Sequence, residues 1–343
     1  MARMQSLEPY LQAVVDGRSL STEEARAAMG VIMDGEAPPT QIAGFLVALR
    51  MKGETGEEVA GFAQAMRDKV TPVRTTRQPL VDTCGTGGDG FKTFNISTAA
   101  AFIAAGAGAA VAKHGNRAIT GRCGSADVLE ALGAKLDLNV EREVEALENI
   151  GIAFLFAPNH HPAMRHATPV RRELRLRTVF NILGPLTNPA GARRQVIGVY
   201  DPALIGLVAE ALAHLGVDRA VVFHGEPGMD EVSAVGTTRY AVIEGSAVQH
   251  GEWRPEDLGL RRVRPEEIAA GDDAGTNARL LTEAISEVTS SLSEAAIATA
   301  GAALWAAGEG DVRTGVERAR ESVASGAAAR KLEEYIRFTN EHS

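Results

Sequence analysis

The residues best suited to chemistry lie between positions 81 and 98, in the stretch VDTCGTGGDGFKTFNIST. Four glycines within six positions allow successive backbone N–H groups to turn inward around an anion. Polar residues then precede an alanine-rich segment, residues 99–107, whose composition is typical of a helix and whose free N-terminal N–H groups would lie beside the loop. The pattern predicts a phosphate-binding loop between a short strand and a helix.

The same stretch matches neither of two common phosphate-binding motifs. A P-loop would end in Gly-Lys-Ser/Thr, and this ending is absent. A dinucleotide-binding loop would be followed by an acidic ribose partner about 20 residues on, and none stands out. A plain tight turn is the simplest alternative, but it needs neither four glycines nor Asp89, Lys92 and three hydroxyl or amide side chains.

A second polar segment follows the candidate strand at residues 109–112. It contains several cations and amides before Ser125, which begins a predicted helix at residues 126–132: Lys113, His114, Asn116, Arg117 and Arg122. Cations beside a helix start suit a multiply charged phosphate ligand. A solvated surface loop is the alternative interpretation of these residues taken alone.

Two further groups of residues offer a metal ligand set and an anion partner. The adjacent acids Asp230 and Glu231 follow a candidate strand, and such a pair either binds Mg²⁺ together with substrate phosphates or is solvated charge. Three histidines, His160, His161 and His166, lack the ligand spacing of a zinc site. Arg171 and Arg172 are either surface charges or a guanidinium fork for a small carboxylate.

The secondary-structure pattern that must position these residues changes after Pro72, from helices alone to strands alternating with helices. The first part of the chain has helical spacing and two capping-box patterns, Ser21 with Glu24 and Thr55 with Glu58, and predicts four short helices. Short apolar runs then alternate with helices, a pattern typical of a mostly parallel sheet. Candidate strands at residues 80–82, 109–112, 152–156 and 220–223 place four polar loops at one sheet edge, where such folds bind ligands. Further candidate strands lie at residues 196–200 and 240–244.

Composition narrows the class of protein. The chain has 343 residues with a net charge of −9, which argues against a general nucleic-acid binder. Only two cysteines occur, so we predict no disulfide framework and a reducing, cytoplasmic setting. We expect no membrane association, because the sequence contains no run of about 18 apolar residues.

Taken together, the motifs resemble those of one known family. In chain order they are residues 85–89 (GTGGD), 95–98 (NIST), 113–117 (KHGNR), 124–130 (GSADVLE), 171–174 (RREL), 181–185 (NILGP) and 230–231 (DE). This set closely resembles the anthranilate phosphoribosyltransferases, over essentially the whole chain. The chain differs from common family members at residues 119–123, His160 and Met164.

The resemblance implies a fold, a reaction and partners. The fold class would be α/β, with a small all-helical domain (residues 1–72, against which residues 162–189 pack) and a larger α/β domain (residues 73–161 and 190–343) that has a mostly parallel sheet flanked by helices. The reaction, in tryptophan biosynthesis, would convert anthranilate and 5-phosphoribosyl 1-diphosphate to N-(5-phosphoribosyl)anthranilate and diphosphate with Mg²⁺. The family is commonly a homodimer formed through the helical domain.

Roles also carry over by resemblance, and none is that of a covalent nucleophile. The sugar diphosphate would be bound by Gly85, Gly88, Asp89, Thr93, Asn95, Ile96, Ser97, Thr98, Lys113, His114, Gly115, Asn116, Arg117, Ala118, Ile119, Thr120, Gly121 and Ser125. Anthranilate would meet Gly85, Asn116 and Arg171, with His114 and His161 nearby. Ser97, Asp230 and Glu231 would bind Mg²⁺.

Three other interpretations remain open at this stage. A pyrimidine nucleoside phosphorylase would share the fold and a glycine-rich phosphate loop, but that family lacks the KHGNR loop with the GSAD helix start. A non-catalytic, nucleic-acid-binding relative would have a basic surface, whereas this chain is acidic. A purely structural scaffold would not require the motif loops.

Overall fold

The computed structural model describes residues 6–88, 90–118 and 123–341. Its α-helices are α1 (Glu8–Val15), α2 (Thr22–Met33), α3 (Pro39–Lys52), α4 (Gly56–Asp68), α5 (Ile96–Gly106), α6 (Ser125–Ala131), α7 (Val140–Asn149), α8 (Ala157–His160), α9 (Thr168–Leu174), α10 (Phe180–Leu183), α11 (Leu204–His214), α12 (Ala274–Ser286), α13 (Ser291–Ala307), α14 (Val312–Ala324) and α15 (Ala327–Asn340). Short 3₁₀ helices occupy Pro162–His166, Gly184–Leu186, Pro255–Leu258 and Pro265–Ile268. None of the described helices combines the length and apolar character needed to cross a membrane.

The strands form one seven-stranded sheet in the described part of the chain. They are β1 (Leu80–Asp82), β2 (Ala110–Gly115), β3 (Ile152–Phe156), β4 (Arg194–Gly198), β5 (Arg219–Gly225), β6 (Thr238–Glu244) and β7 (Ala247–Trp253), in the order β3-β2-β1-β4-β5-β6-β7. The first five are parallel, and β6 and β7 form an antiparallel hairpin at one edge. Because the chain runs outward from β1 to β3 and then returns to β4, the strand order reverses between β1 and β4. Open sheets of this type bind ligands beyond the strand ends at such a reversal.

Both predicted capping boxes are present and begin helices of the amino-terminal bundle. Ser21 caps α2 by accepting from Glu24 N, and the Glu24 carboxylate accepts from Ser21 N. Thr55 and Glu58 do the same for α4. The Glu58 side chain is fully buried, where it also pairs with Lys52 at 2.9 Å and accepts from Leu20 N. These contacts stabilise the helix starts and join three helices of the bundle.

Two hydrophobic cores cover the two faces of the sheet. Alternation along the central strands assigns the side chains: Val196 and Val221 belong to one core, whereas Ile197 and Val222 belong to the other. The first core includes α5 and the alanine-rich α13, whose small side chains allow the two helices to pack closely. The second core joins α11 with the amino-terminal helices and with Ala167 to Leu186. The helical bundle therefore shares one hydrophobic core with a face of the sheet. The division into domains at residues 72/73, 161/162 and 189/190 remains a prediction.

Several predicted element bounds were wrong. Strand β2 continues through Lys113, His114 and Gly115, which the sequence pattern places in a loop, since these residues pair with β3 as far as Phe156. The arginine-rich sequence predicts a helix over residues 169–177, but helix α9 ends at Leu174, because Arg175 adopts a left-handed conformation with φ of 51°. The edge strand β7 was not predicted, because its residues are mostly exposed and carry no apolar alternation.

The contact between α2 and α4 depends on Gly61. A Cβ at this position would lie 2.3 Å from the Thr22 carbonyl oxygen and 2.7 Å from Ala25 Cβ. We therefore expect Gly61→Ala to lower the free energy of unfolding by about 1–3 kcal/mol through overpacking. Gly30→Ala is the matched control, since a Cβ on Gly30 meets no atom within 4 Å and should stabilise α2 slightly. Denaturant unfolding of both variants checks this; equal effects would contradict it.

Candidate active site

The glycine-rich loop is anchored where the strand order reverses. Thr86 N donates to the Gly198 carbonyl at 2.8 Å, and Tyr200 N donates to Thr86 Oγ1 at 3.1 Å. The loop that follows β1 is thus bonded to the segment that ends β4. Gly87 and Gly88 adopt positive φ values of 63° and 75°, which glycine tolerates without strain. Both residues are exposed at the sheet edge.

A fully buried carboxylate, that of Asp82, fixes the ends of the central strands. Its Oδ1 accepts from Cys84 N at 3.0 Å and from His114 N at 3.1 Å, and its Oδ2 accepts from Asn188 Nδ2 at 2.7 Å. Asn188 Nδ2 also donates to the Ala112 carbonyl. Burial raises the pKa of Asp82 to about 6, although its donors act in the opposite direction. Asp82 and Asn188 were not among the residues predicted from the sequence. The available signal was that Asp82 is an acidic residue at the end of a buried apolar strand.

Lys113 is a buried cation at the base of the loop. Its side chain is 3% exposed and its ammonium donates to three neutral oxygens: the Thr83 carbonyl, Thr83 Oγ1 and Ser97 Oγ. Among the described residues no carboxylate lies within ion-pair distance of Lys113 Nζ. Burial raises the pKa of Asp82 and of Asp230, and the nearby charge of Lys113 acts in the opposite direction, so these carboxyls offset part of that charge. A buried charge is costly unless it is compensated, so an anionic ligand at this edge of the sheet would stabilise Lys113 further.

The start of helix α5 offers further polar groups to a ligand. Two of its buried polar atoms, Asn95 Oδ1 and Thr98 Oγ1, have no hydrogen-bond partner within the described residues. Such orphaned atoms are rare in folded proteins and are often satisfied by ligand or water. Asn95 Nδ2 donates to the Cys123 carbonyl and so joins this helix start to the second polar segment. Ile96 lies in the hydrophobic core, so only its backbone could contact a ligand.

The second polar segment is folded against the start of α6. Asp127 accepts from Ala118 N and Gly124 N, and Ser125 Oγ bonds both the N–H and the carbonyl of Asn116. A Cβ on Gly124 would lie 2.4 Å from Ala118 N, so the segment requires glycine here. Arg117 pairs with Glu130 on the outer surface. Asn116 is exposed, and its Nδ2 has no hydrogen-bond partner in the ranges of the chain that the structure describes.

The acidic pair reaches into the glycine-rich loop. Asp230 Oδ2 accepts from Gly87 N at 2.7 Å, while Glu231 accepts from Ser97 N at 3.0 Å through Oε1 and from Thr299 Oγ1 at 2.9 Å through Oε2. The two carboxylates and the Ser97 hydroxyl are hard oxygen donors, the ligand type that Mg²⁺ prefers. The donor set therefore fits the predicted ion. Thr299 was not predicted, because the only hint in the sequence is that it is a polar residue within an alanine-rich helix.

Two histidines form a neutral pair beside this cradle. The Gly184 carbonyl can only accept, so His114 Nδ1 donates to it at 3.1 Å, and His114 Nε2 accepts from His161 Nε2 at 3.2 Å. His161 Nδ1 is then unprotonated. Burial, reinforced by neighbouring positive charge, lowers the pKa of His114 to about 3 and that of His161 to about 4. Both rings are therefore uncharged at neutral pH.

A third histidine, His160, fixes the segment that carries His161. His160 Nδ1 donates to the Thr71 carbonyl at 3.0 Å, Thr71 N donates back to the His160 carbonyl, and Nε2 bonds Glu143 Oε1 at 2.9 Å. Burial lowers the pKa of His160, but the hydrogen bond and charge of Glu143 outweigh it, so the net pKa is raised. His160 is thus a structural residue that ties α8 to the connection between helical bundle and sheet.

Arg171 is a partly buried cation on helix α9. Its guanidinium lies 5.2 Å from the Phe180 ring centroid and has no hydrogen-bond partner among the described residues. Burial lowers the pKa of Arg171, although the group stays charged. Helix α10 connects this contact to the histidines, because Phe180 begins the helix and the Gly184 carbonyl that follows it accepts from His114. Arg172, in contrast, is exposed.

The structure brings most predicted site residues to one sheet edge. Those on the loop after β1, the start of α5, the end of β2 and the start of α6 are joined by the hydrogen bonds above, and Asp230 and Glu231 contact them. Thr93 bridges to Ala269 at the outer end of the loop. Five predicted residues, Asp89, Ile119, Thr120, Gly121 and Arg122, lie outside the described residues. Sequence reasoning missed Arg177, whose guanidinium packs over Tyr200 at 3.9 Å and donates to the Gly88 carbonyl.

Comparison with known proteins places this geometry in a family. The sequence model "Glycosyl transferase family, a/b domain" matches residues 77–329, and "Glycosyl transferase family, helical bundle domain" matches residues 8–70. Anthranilate phosphoribosyltransferase from Rubrobacter xylanophilus is 49% identical over 335 residues, which cover 97% of each chain. The chain belongs to the anthranilate phosphoribosyltransferase family. The Anaeromyxobacter sp. (strain Fw109-5) member is 50% identical over 334 residues, covering 97% of this chain and 98% of its own.

Solved structures of the anthranilate phosphoribosyltransferase family share the fold. The Thermus thermophilus crystal structure superposes with a TM-score of 0.90 at 46% identity, covering 96% of this chain and 98% of that one. The Saccharomyces cerevisiae enzyme in complex with PRPP and Mg has a TM-score of 0.86 at 28% identity, covering 97% of each chain. The predicted fold class, a small helical domain with a larger α/β domain, is confirmed. Neither the phosphorylase nor the nucleic-acid-binding alternative finds support.

The low pKa of His161 predicts a loss of stability in acid. Above the ordinary histidine pKa of 6.5 the ring is neutral in both states, so stability is complete there. Between pH 6.5 and 4 this histidine binds a proton in the unfolded chain but stays neutral in the folded chain. The equilibrium constant for unfolding therefore rises by up to about tenfold for each unit that the pH falls. His161→Asn should therefore show a shallower stability decline than the wild type over this range.

The measurement is the unfolding midpoint against pH. Asp82, whose raised pKa acts in the opposite direction, is present in both proteins and cancels in the comparison. His250→Asn, on the exposed edge strand, is the matched control and should keep the wild-type slope. Identical slopes for His161→Asn and the wild type would contradict the assignment.

Proposed function

We propose that the chain transfers the 5-phosphoribosyl group from 5-phosphoribosyl 1-diphosphate to the amine of anthranilate. The products are N-(5-phosphoribosyl)anthranilate and diphosphate, and the reaction belongs to tryptophan biosynthesis. The proposal is carried by one observation, made in a chain that is similar over its whole length to anthranilate phosphoribosyltransferases. A loop that could bind an anion, with a buried Lys113 that forms no ion pair among the residues described, adjoins a neutral histidine pair. The yeast relative with PRPP and Mg supports the assignment of the cradle to the sugar diphosphate.

The cradle would act on the leaving diphosphate. Positive charge develops on ribose C1 as the C1–O bond breaks, and negative charge accumulates on diphosphate. Lys113 and the N–H groups of the glycine-rich loop and of α5 are preorganised donors for that charge. Ser97, Asp230 and Glu231 would hold Mg²⁺, which as a Lewis acid neutralises the departing oxygens. No covalent nucleophile is needed, and burial raises the pKa of the Cys84 and Cys123 thiols, which keeps both protonated.

The histidine pair would position the amine rather than activate it. An aromatic amine is unprotonated at neutral pH, so its lone pair is available for attack on C1. His161 Nδ1 is left as an acceptor for an amine N–H, because its Nε2 donates to His114. With pKa values of about 3 and 4 these rings are weak bases, far from the value near 7 that general-base catalysis favours. The site therefore works chiefly by orientation.

A fluorescence assay tests the proposed function. Protein, Mg²⁺, anthranilate and 5-phosphoribosyl 1-diphosphate are mixed, and loss of anthranilate fluorescence is followed over time. Consumption that requires both substrates and Mg²⁺ supports the proposal. No consumption under these conditions, by protein that is folded, would overturn it.

Arg171 is expected to bind the anthranilate carboxylate. A charged hydrogen bond contributes about 1.5–3 kcal/mol, so Arg171→Ala should raise the Michaelis constant for anthranilate roughly ten- to a hundredfold. The constant for the sugar diphosphate should change much less. Arg172→Ala removes the neighbouring exposed guanidinium and should leave both constants near wild type. Equal losses for both substrates would instead indicate a structural role for Arg171.

We further propose that the chain forms a homodimer through the helical bundle. Val15 on α1 is 61% exposed and Met51 on α3 is 82% exposed, and these two helices pack against each other. Sedimentation velocity at micromolar concentration should show a dimer that Met51→Glu weakens. Val248→Glu, at an exposed apolar residue of β7, is the control and should not. A monomeric wild type would rule the proposal out.

A further inference from the structure

Two donors of the phosphate cradle are occupied by the chain's own carboxylates. Gly87 N, in the glycine-rich loop, donates to Asp230 Oδ2 at 2.7 Å. Ser97 N, in the first turn of α5, donates to Glu231 Oε1 at 3.0 Å. Loop N–H groups and helix-start N–H groups are the donors that proteins use for phosphate oxygens. Asp230 and Glu231 thus occupy places where a phosphate would be bound.

The backbone holds this arrangement in place. A Cβ on Gly198 would lie 1.7 Å from the Asp230 carbonyl oxygen, and a Cβ on Gly85 would lie 3.1 Å from Asp230 Oδ2. A side chain at position 198 would clash with the Asp230 backbone, and one at position 85 would push the Asp230 carboxylate away by a few tenths of an ångström. Glu231 is 6% exposed and its second oxygen accepts from Thr299 Oγ1. The two acids are therefore built into the cradle by packing.

Charge decides which ligand can replace them. Diphosphate without a metal would have to displace both carboxylates while remaining beside them, and like charges at such distances repel strongly. When diphosphate arrives with a divalent cation, the carboxylates can turn to the cation and release the Gly87 and Ser97 N–H groups to phosphate oxygens. Every donor then keeps an acceptor, so no buried hydrogen bond is lost.

We propose, building on the function above, that Asp230 and Glu231 fill the phosphate cradle of the ligand-free chain and so exclude diphosphate that lacks a divalent cation. The pair would act as a specificity device as well as a ligand set. It selects the metal-bound form of the sugar diphosphate before any chemistry occurs.

Calorimetric titration of the full chain with inorganic diphosphate tests the proposal, once with Mg²⁺ and once with a chelator. Two double variants are compared: Asp230→Ala with Glu231→Ala, and Asp230→Asn with Glu231→Gln. Without metal, the alanine variant should bind diphosphate at least about tenfold more tightly than the wild type, because two charged hydrogen bonds no longer need to be displaced. The amide variant should gain less, since its side-chain oxygens can still accept from Gly87 and Ser97. In both variants the tightening by Mg²⁺ should largely disappear.

Asp201→Asn is the control, because it removes one exposed carboxylate at the same sheet edge without a bond to the cradle. It should not raise metal-free affinity. Unchanged metal-free affinity in the alanine variant would overturn the proposal, as would equal gains in the alanine and amide variants, which indicate charge alone. Protection of the Ser97 amide from hydrogen exchange in the ligand-free wild type, lost in the alanine variant, would support it. If the wild type binds no diphosphate even with Mg²⁺, the proposed function itself fails.

Discussion

The geometry of the whole site depends on the buried carboxylate of Asp82. One side chain holds the start of the glycine-rich loop through Cys84 N, the strand that carries Lys113 and His114, and the returning segment through Asn188. Loss of a buried partner in such a network leaves the other polar groups unsatisfied. The positions of the phosphate cradle and of the histidine pair are therefore set together, by a residue that need not touch either substrate.

Buried groups of both signs lie at this edge of the sheet. Lys113 donates to neutral oxygens, and Arg171, on helix α9, has no hydrogen-bond partner in the part of the chain that the structure describes. The histidines between them are neutral, because burial and nearby positive charge oppose protonation. Charged histidines would add repulsion near the positive ribose that the proposed reaction forms. The uncharged pair provides polar contacts without it.

The helical bundle and the sheet are joined by packing and hydrogen bonds as well as by the chain itself. One hydrophobic core runs from the bundle to a face of the sheet, and His160 bonds Thr71 in both directions where the chain passes between them. Arg177 contacts Gly88 of the glycine-rich loop and Tyr200, which follows β4, while Arg50 of α3 donates to the Arg177 carbonyl. The side that would receive anthranilate and the side that would receive diphosphate are thereby physically coupled.

Local patterns in the sequence determined the glycine-rich loop and both capping boxes. They also determined the change from helices to alternating strands and helices after Pro72, and the residues that carry the family resemblance. Each of these depends on neighbours within a few positions, where glycine content, apolar spacing and cap residues act directly. The partners of those residues were decided only by tertiary structure. Asp82 and Asn188 are 106 positions apart, and Glu231 reaches Ser97 across 134. These contacts form because the strand order reverses between β1 and β4, and no local pattern encodes which strands become neighbours.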